Sequence, residues 1–346
     1  MKPKVLALTG CTASGKSGLA MKLAREYPVE IVCMDSMQIY RRMDIGTAKP
    51  TQAEQKLVPH HMLDILEPEE SYAVARYVED AEQVFGDIWQ RGKIPLLVGG
   101  TGLYLKSLLH GMTLGQQESD PAVRARYEAI AAEPDGKAKL HALLEKVDEE
   151  TARRLHPNDL RRVVRALEVC ELTGTPMSRQ KRQEPERPYD LLPMALRMPR
   201  PELQTRIAQR VQEMMRQGLL REVQGLLDSG VPAESQSMQA IGYKELVPVC
   251  RGQVAEADAV WQIILNTRHY AKRQETWFRA EEAIRWVDAG PSALDGLRRM
   301  TDDFFDELSI AQSRKEAFSH GTRRTDSEGG GPLSGGLPPH GRDRIS

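Results

Sequence analysis

Gly10-Cys11-Thr12-Ala13-Ser14-Gly15-Lys16-Ser17 follows the apolar run Val5-Leu6-Ala7-Leu8 and precedes a stretch of helical periodicity, Leu19, Ala20, Leu23 and Ala24. Its spacing is G-x-x-x-x-G-K-[ST], and its place between a strand and a helix gives the pattern meaning. A strand feeding a glycine-rich turn directs successive backbone N–H groups inward, and the helix that follows adds the positive end of its dipole. Lys16 then reaches bridging phosphate oxygens, and the Ser17 hydroxyl can sit on a magnesium ion. The stretch predicts a site for a di- or triphosphate in an α/β, P-loop NTPase-like core.

Two further runs support a parallel sheet. Ile31-Val32-Cys33-Met34 ends in Asp35-Ser36-Met37-Gln38, and Ile94-Pro95-Leu96-Leu97-Val98 ends in Gly99-Gly100-Thr101-Gly102. Short apolar runs without alternation predict strands buried on both faces. Ligands of open α/β sheets bind beyond the carboxyl ends of the strands. The segments 10–17, 35–38 and 99–101 are therefore expected to converge on one edge.

From about Gly115 the strand signal stops, and 120–186 is rich in arginine, alanine and leucine at helical spacing. The expected organisation is a core in two parts, 1–114 and 188–312, interrupted by a helical insertion domain over 115–187 and followed by a disordered tail over 313–346. In the insertion, Leu160, Val163, Val164, Leu167 and Cys170 form one apolar stripe, with Asn158 or Asp159 as its cap and Arg161, Arg162 and Arg165 off the stripe. Between Arg153 and Arg182 eight lysines and arginines stand against three acids, a local excess of five in a chain of net charge −1. On charge alone this is either a solvated helix face or a footprint for a phosphate backbone.

A strand at 191–197 returns the chain to the sheet. A helix over 201–217 then buries Leu203, Ile207, Val211 and Met214, and Gly218 ends it. Arg210 projects from almost the same side as Leu203, so it either meets an anion or snorkels to water. Further helices are expected over 219–227, 239–246 and 257–279, with a last short strand over 284–287.

Composition narrows the classes. With 40% hydrophobic and 28% charged residues the chain reads as an ordinary globular protein, and its net charge of −1 requires any nucleic acid to be met by a local patch. Cys11, Cys33, Cys170 and Cys250 form no C-x-x-C pair and read as reduced thiols. No apolar stretch is long enough to span a bilayer, so a cytoplasmic protein without a membrane partner is expected.

The phosphate loop alone leaves kinases, NTPases and transferases open. It is joined, in order, by Asp35-Ser36-Met37-Gln38-Ile39-Tyr40, Met43-Asp44-Ile45-Gly46-Thr47-Ala48-Lys49-Pro50, Pro59-His60-His61, Val98-Gly99-Gly100-Thr101-Gly102-Leu103-Tyr104 and His156-Pro157-Asn158-Asp159. Ile241-Gly242-Tyr243-Lys244-Glu245 and Lys272-Arg273-Gln274 follow. From about Lys4 to Val287 the sequence closely resembles the tRNA dimethylallyltransferases, also called tRNA isopentenyltransferases, in a bacterial form.

That resemblance implies transfer of a dimethylallyl group from dimethylallyl diphosphate to the 6-amino group of the adenine 3′-adjacent to the anticodon, in tRNAs reading codons that begin with U. It implies that the Thr12–Ser17 amides, Lys16, a Mg2+ ion held by Ser17, and Arg210 bind the diphosphate. Asp35 would take the amine proton, and Thr101 would align the base. The tRNA anticodon stem-loop would meet Asp35, Ser36, Met37, Gln38 and Thr101, then Arg124, the segment Arg161, Arg162, Val163, Val164 and Arg165, and finally Gln239, Gly242 and Lys244. His60 and His61 are read as structural, and the protein is expected to be a monomer. The rival readings are a small-molecule kinase with Asp35 as the metal-holding acid, an isopentenyltransferase acting on free AMP, and a non-catalytic RNA-binding switch.

Overall fold

The computed structural model describes residues 2–111, 120–179 and 186–306. Met1–Leu297 forms one compact unit, and Arg298–Ser346 is a second unit whose described part, 298–306, is helical. The expected disordered tail over 313–346 lies outside the described residues, as do Lys181 and Arg182 of the basic segment.

Among the described residues six parallel strands form the sheet: β1 (Lys4–Gly10), β2 (Val29–Met34), β3 (His60–His61), β4 (Ile94–Gly99), β5 (Asp190–Arg197) and β6 (Arg285–Asp288). Their order is β3-β2-β4-β1-β5-β6. The apolar runs explain which strands are central. β1 lies between β4 and β5, with Leu6 opposite Leu96 and Leu8 opposite Met194, and every residue of β2 is buried. β3 has only two residues and carries no periodicity that a sequence pattern could report.

Helices cover the sheet and extend beyond it: α1 (Lys16–Glu26), the short α2 (Gln52–Leu57), α3 (Val74–Gln90) and α4 (Gly102–His110). The insertion follows as α5 (Pro121–Ala131), α6 (Gly136–Val147), α7 (Glu149–Arg154) and α8 (Leu160–Thr173). After β5 come α9 (Arg200–Gln217), α10 (Leu219–Asp228), α11 (Tyr243–Cys250) and α12 (Glu256–Arg279). The helix expected over 239–246 starts later than its apolar pattern suggests. Gly242 takes a φ of 102°, and its N–H donates to the Glu245 carboxylate at 2.7 Å, which fixes the first turn of α11 there.

The insertion has an apolar cluster of its own, in which Tyr127, Leu140, Leu144, Ala152, Val163, Val164 and Leu167 are buried. Asp159 sits at the cap position of α8 but makes no capping bond; its carboxylate lies 3.4 Å from Arg162 instead. Glu168 on α8 is a fully buried acid. It accepts the Asp120 N–H at 3.1 Å, Arg124 at 2.9 Å and Arg165 at 2.8 Å. Burial pushes the Glu168 carboxyl up, but the bonds from Arg165 and Arg124 outweigh it and hold the pKa below its usual value. Part of the positive charge read on this helix is therefore neutralised inside the insertion.

Replacing Glu168 with alanine removes the buried acceptor that Arg124 and Arg165 share and should cost about 2–4 kcal/mol in urea unfolding. Because the folded pKa is depressed, Glu168's contribution is present above the ordinary carboxylate range and is lost as pH falls through the folded value. The wild-type advantage over Glu168→Ala should shrink in acid; an advantage that holds constant would refute the ion-pair account.

Candidate functional site

The backbone between β1 and α1 is set by positive φ angles, 64° at Ala13 and 90° at Gly15, the latter the N-cap of α1. A left-handed alanine is uncommon and here follows from the tight turn. The Thr12 N–H donates to the Gln274 side chain at 2.9 Å and the Ser14 N–H to the Cys11 carbonyl at 3.2 Å. Thr12 is thus not a free donor for a ligand, contrary to expectation. The N–H groups of Lys16 and Ser17 lie in the first turn of α1, where a helix offers no internal acceptor. The Ser14 hydroxyl is buried without a protein partner among the described residues. Such a cradle suits a ligand rich in oxygen atoms.

Beside the cradle opens a cavity of about 400 Å³. Thr12, Ala13, Lys16 and Ser17 line one side and Asp35, Ser36, Met37 and Gln38 another. Arg210 enters from α9 together with Ile207, Val211 and Met214. Gln239, Gly242 and Lys244 line it as well, so residues far apart in the chain meet here. Burial and the neighbouring Arg210 guanidinium push the Lys16 pKa down to about 8, against the opposing pull of Asp35. Burial also lowers the pKa of Arg210, again opposed by Asp35. Two crowded cations beside one carboxylate favour an anionic ligand, which would relieve their repulsion.

Asp35 is half-buried, and its Oδ1 accepts the Met37 N–H at 2.9 Å. Thr101 is not among the residues lining the cavity. Its hydroxyl accepts the Ser36 N–H at 3.2 Å, and its own N–H donates to the Met34 carbonyl at 3.3 Å. Its observed contacts therefore hold the Asp35 loop. Gln38 is also engaged: Nε2 donates to the Thr47 and Ala48 carbonyls at 3.0 and 3.2 Å, while Oε1 accepts the Cys33 thiol at 3.2 Å.

Several residues of the site escaped sequence reasoning. Glu222 on α10 accepts the N–H groups of Asp44, Ile45 and Gly46 at 3.0, 2.8 and 3.1 Å and the Tyr243 hydroxyl at 2.5 Å. It clamps the loop whose next residues, Thr47 and Ala48, line the cavity. Lys49, its side chain 3% exposed, ties the same loop to the Tyr40 carbonyl, Asp44 and Asp64. Tyr270 and Gln274 line the cavity from α12. Glu222 and Tyr270 belong to no local motif, and Lys49, Tyr243 and Gln274, though inside the blocks quoted above, show their contacts only in three dimensions.

His61 pairs with Glu30 at 2.7 Å, and Glu30 also holds Arg91, which supports a structural role. His60 lines the cavity but is tied through Nδ1 to the Val58 carbonyl at 2.8 Å, and burial lowers its pKa. In the insertion, Arg161 and Arg162 are exposed. Val163 and Val164 are corrected as RNA contacts, because their side chains are 0% and 4% exposed within the insertion's apolar cluster. Among the described residues no group of three or more His, Cys, Asp or Glu side chains could hold a metal ion, and no helix is long and apolar enough to cross a membrane.

A glycine-rich turn at the carboxyl end of a central parallel strand, beside a cavity lined by a carboxylate and an arginine, marks an α/β protein with a site suited to phosphate or diphosphate groups. The IPP transferase family profile matches residues 38–281, and the isopentenyl transferase profile matches residues 3–64. The chain is 49% identical over 289 residues to a tRNA dimethylallyltransferase of Trichlorobacter lovleyi, covering 83% of this chain and 94% of that one. It is 46% identical over 320 residues to the tRNA dimethylallyltransferase of Bacillus subtilis, covering 92% and 96%. Its structure is similar to the tRNA isopentenylpyrophosphate transferase of Bacillus halodurans, with TM-score 0.66 and 39% identity over 91% of this chain and 100% of that one. It is also similar to a eukaryotic dimethylallyltransferase acting on tRNA, with TM-score 0.73 and 28% identity over 88% and 80%. The chain belongs to the tRNA dimethylallyltransferase family.

The depressed pKa of Lys16 gives a test of the cradle. Above about 8 the free lysine loses its proton, so pyrophosphate affinity should fall with rising pH. Lys16→Arg stays charged and should lose less affinity over the same range, read by calorimetry from about pH 7 to about pH 9.5. Parallel losses in the two proteins would separate Lys16 from the anion.

Proposed function

We propose that this enzyme transfers a dimethylallyl group from dimethylallyl diphosphate to the 6-amino group of the adenine 3′-adjacent to the anticodon, in tRNAs reading UNN codons. The observation that carries the reading is that Lys16, Arg210 and Asp35 line one cavity. The reaction breaks an allylic C–O bond and leaves the electron pair on diphosphate. The adenine nitrogen forms the new C–N bond and sheds a proton.

The P-loop NTPase-like segment Gly10–Ser17 holds the diphosphate through the amides of Lys16 and Ser17, with Lys16 and Arg210 stabilising the charge that grows on the leaving group. Asp35 accepts the proton through the oxygen not committed to Met37. Thr101 acts on alignment by fixing Ser36, the neighbour of Asp35.

Ser17 is exposed and lines the cavity, which fits a Mg2+ ion taking its other ligands from substrate phosphate and water. Such an ion needs no cluster of protein acids, and when bound it supplies charge neutralisation on the diphosphate.

The adenine must leave its stack to reach Asp35. Ser36, Met37, Gln38, Gln239, Gly242 and Lys244 then surround it. The insertion over 115–187, set between core segments 1–114 and 188–312, meets the anticodon stem-loop through Arg161 and Arg162. Arg124 and Arg165 contribute from their anchorage on Glu168. The protein works as a cytoplasmic monomer.

Incubation with labelled dimethylallyl diphosphate and an anticodon stem-loop should give alkylated RNA and diphosphate. Preference for AMP over the stem-loop, or ADP formation from ATP without alkylation, would overturn the reading. Asp35→Ala should lower kcat at least about a hundredfold while RNA affinity stays within about twofold. Matching losses in both would remove Asp35 from the chemistry. Replacing Arg161 and Arg162 with alanine should reduce the salt slope of RNA binding by about 0.7–0.9 for each phosphate that is no longer neutralised. An unchanged slope would exclude them from the interface.

A further inference from the structure

Gln274 sits on α12, outside the strand ends that build the cavity, yet its side chain joins two of them. The residue is 6% exposed, and both halves of its amide are engaged. Oε1 accepts the Thr12 N–H at 2.9 Å, and Nε2 donates to the Gly100 carbonyl at 2.8 Å. Thr12 lies in the loop after β1, and Gly100 lies in the turn after β4. The linkage runs on, because Thr101, beside Gly100, holds the N–H of Ser36, beside Asp35. The fit is close: a Cβ on Gly100 would lie 2.2 Å from Gln274 Nε2. The site asks one side chain for an acceptor and a donor at fixed separation, which an amide supplies and a neutral aliphatic side chain does not.

We infer that Gln274 is a positioning residue for the transfer reaction, fixing the phosphate loop against the turn that carries Thr101 and, through it, Asp35. The inference rests on the diphosphate-transfer reading of the cavity. Gln274 takes the Thr12 amide out of the ligand's reach and in return sets the spacing between the departing anion and the proton acceptor. Misplacement by about an ångström is worth on the order of a hundredfold in rate, so the bridge should act on kcat.

The test compares Gln274→Glu and Gln274→Met with wild type. Ionised glutamate keeps an acceptor for Thr12 but offers Gly100 no donor; protonated glutamate regains the donor and acceptor pair of the amide. Tyr270 and Arg273 on α12, Cys11 and Lys16 at the phosphate loop, Asp35 after β2, and Arg210 on α9 face this region. Wild type shares them all, so the ratio of variant to wild type isolates the new group.

At neutral pH both variants should lose about 10- to 100-fold in kcat, with KM for the stem-loop within about twofold. The kcat ratio of Gln274→Glu to wild type should rise as pH falls from neutral toward the usual glutamate pKa of about 4.3, and that of Gln274→Met should not. A purely stabilising role would show as a lower melting temperature without this recovery in acid. A Gln274→Met kcat within about twofold of wild type, or a Gln274→Glu ratio flat with pH, would overturn the inference. Failure of wild type itself to alkylate RNA would overturn the function reading instead.

Discussion

The cavity depends on holding Lys16 and Arg210 near each other with Asp35 as a local counter-charge. Burial lowers both cationic pKa values, and the Arg210 guanidinium lowers that of Lys16 further, so the arrangement stores unfavourable electrostatic energy that an anion can release. The fold supplies the restraint. Lys16 is fixed by the first turn of α1, Arg210 by the buried stripe Leu203, Ile207 and Val211 of α9, and Asp35 by its place just after β2. Each of these elements is anchored in apolar packing, so the charges cannot drift apart without disturbing the core.

The same restraint explains how closely the strand ends approach. A Cβ on Gly99 would fall 1.9 Å from the Met34 carbonyl oxygen, inside the backbone of β2. The glycines after Val98 thus let β2 and β4 come together where Thr101 can receive the Ser36 N–H. In the sequence they read as part of a binding motif. In the structure they serve convergence, and their neighbour Thr101 holds the Asp35 loop.

Much of this was legible because burial leaves a pattern. β1, β2 and β4 announce themselves as apolar runs, and the stripe of α8 gives Val163 and Val164 the places they occupy in the insertion. The phosphate loop combines fixed spacing with a strand before it and a helix after it, which is rare by chance. The illegible parts are contacts across long separations. Glu222 binds Asp44 from 178 residues away and Gln274 binds Thr12 from 262, and neither leaves a periodicity or a neighbouring partner to find. Arg165 misled in the other direction: counted as surface charge, it is held by a glutamate that is 0% exposed.

Glu168 also changes how the insertion's charge should be understood. An arginine free in solvent gives up side-chain entropy when it meets a phosphate, whereas one already braced by a buried carboxylate has lost that freedom during folding. Arg124, 44% exposed and bonded to Glu168, keeps a wet edge while its position is fixed. The brace also carries a cost, since the carboxylate neutralises part of the field that would attract RNA from a distance. Among the described residues Arg161 and Arg162 have no such buried partner and stay exposed, whereas Arg124 and Arg165 are braced. Burial divides these arginines into exposed and braced ones, a division that net charge could not have revealed.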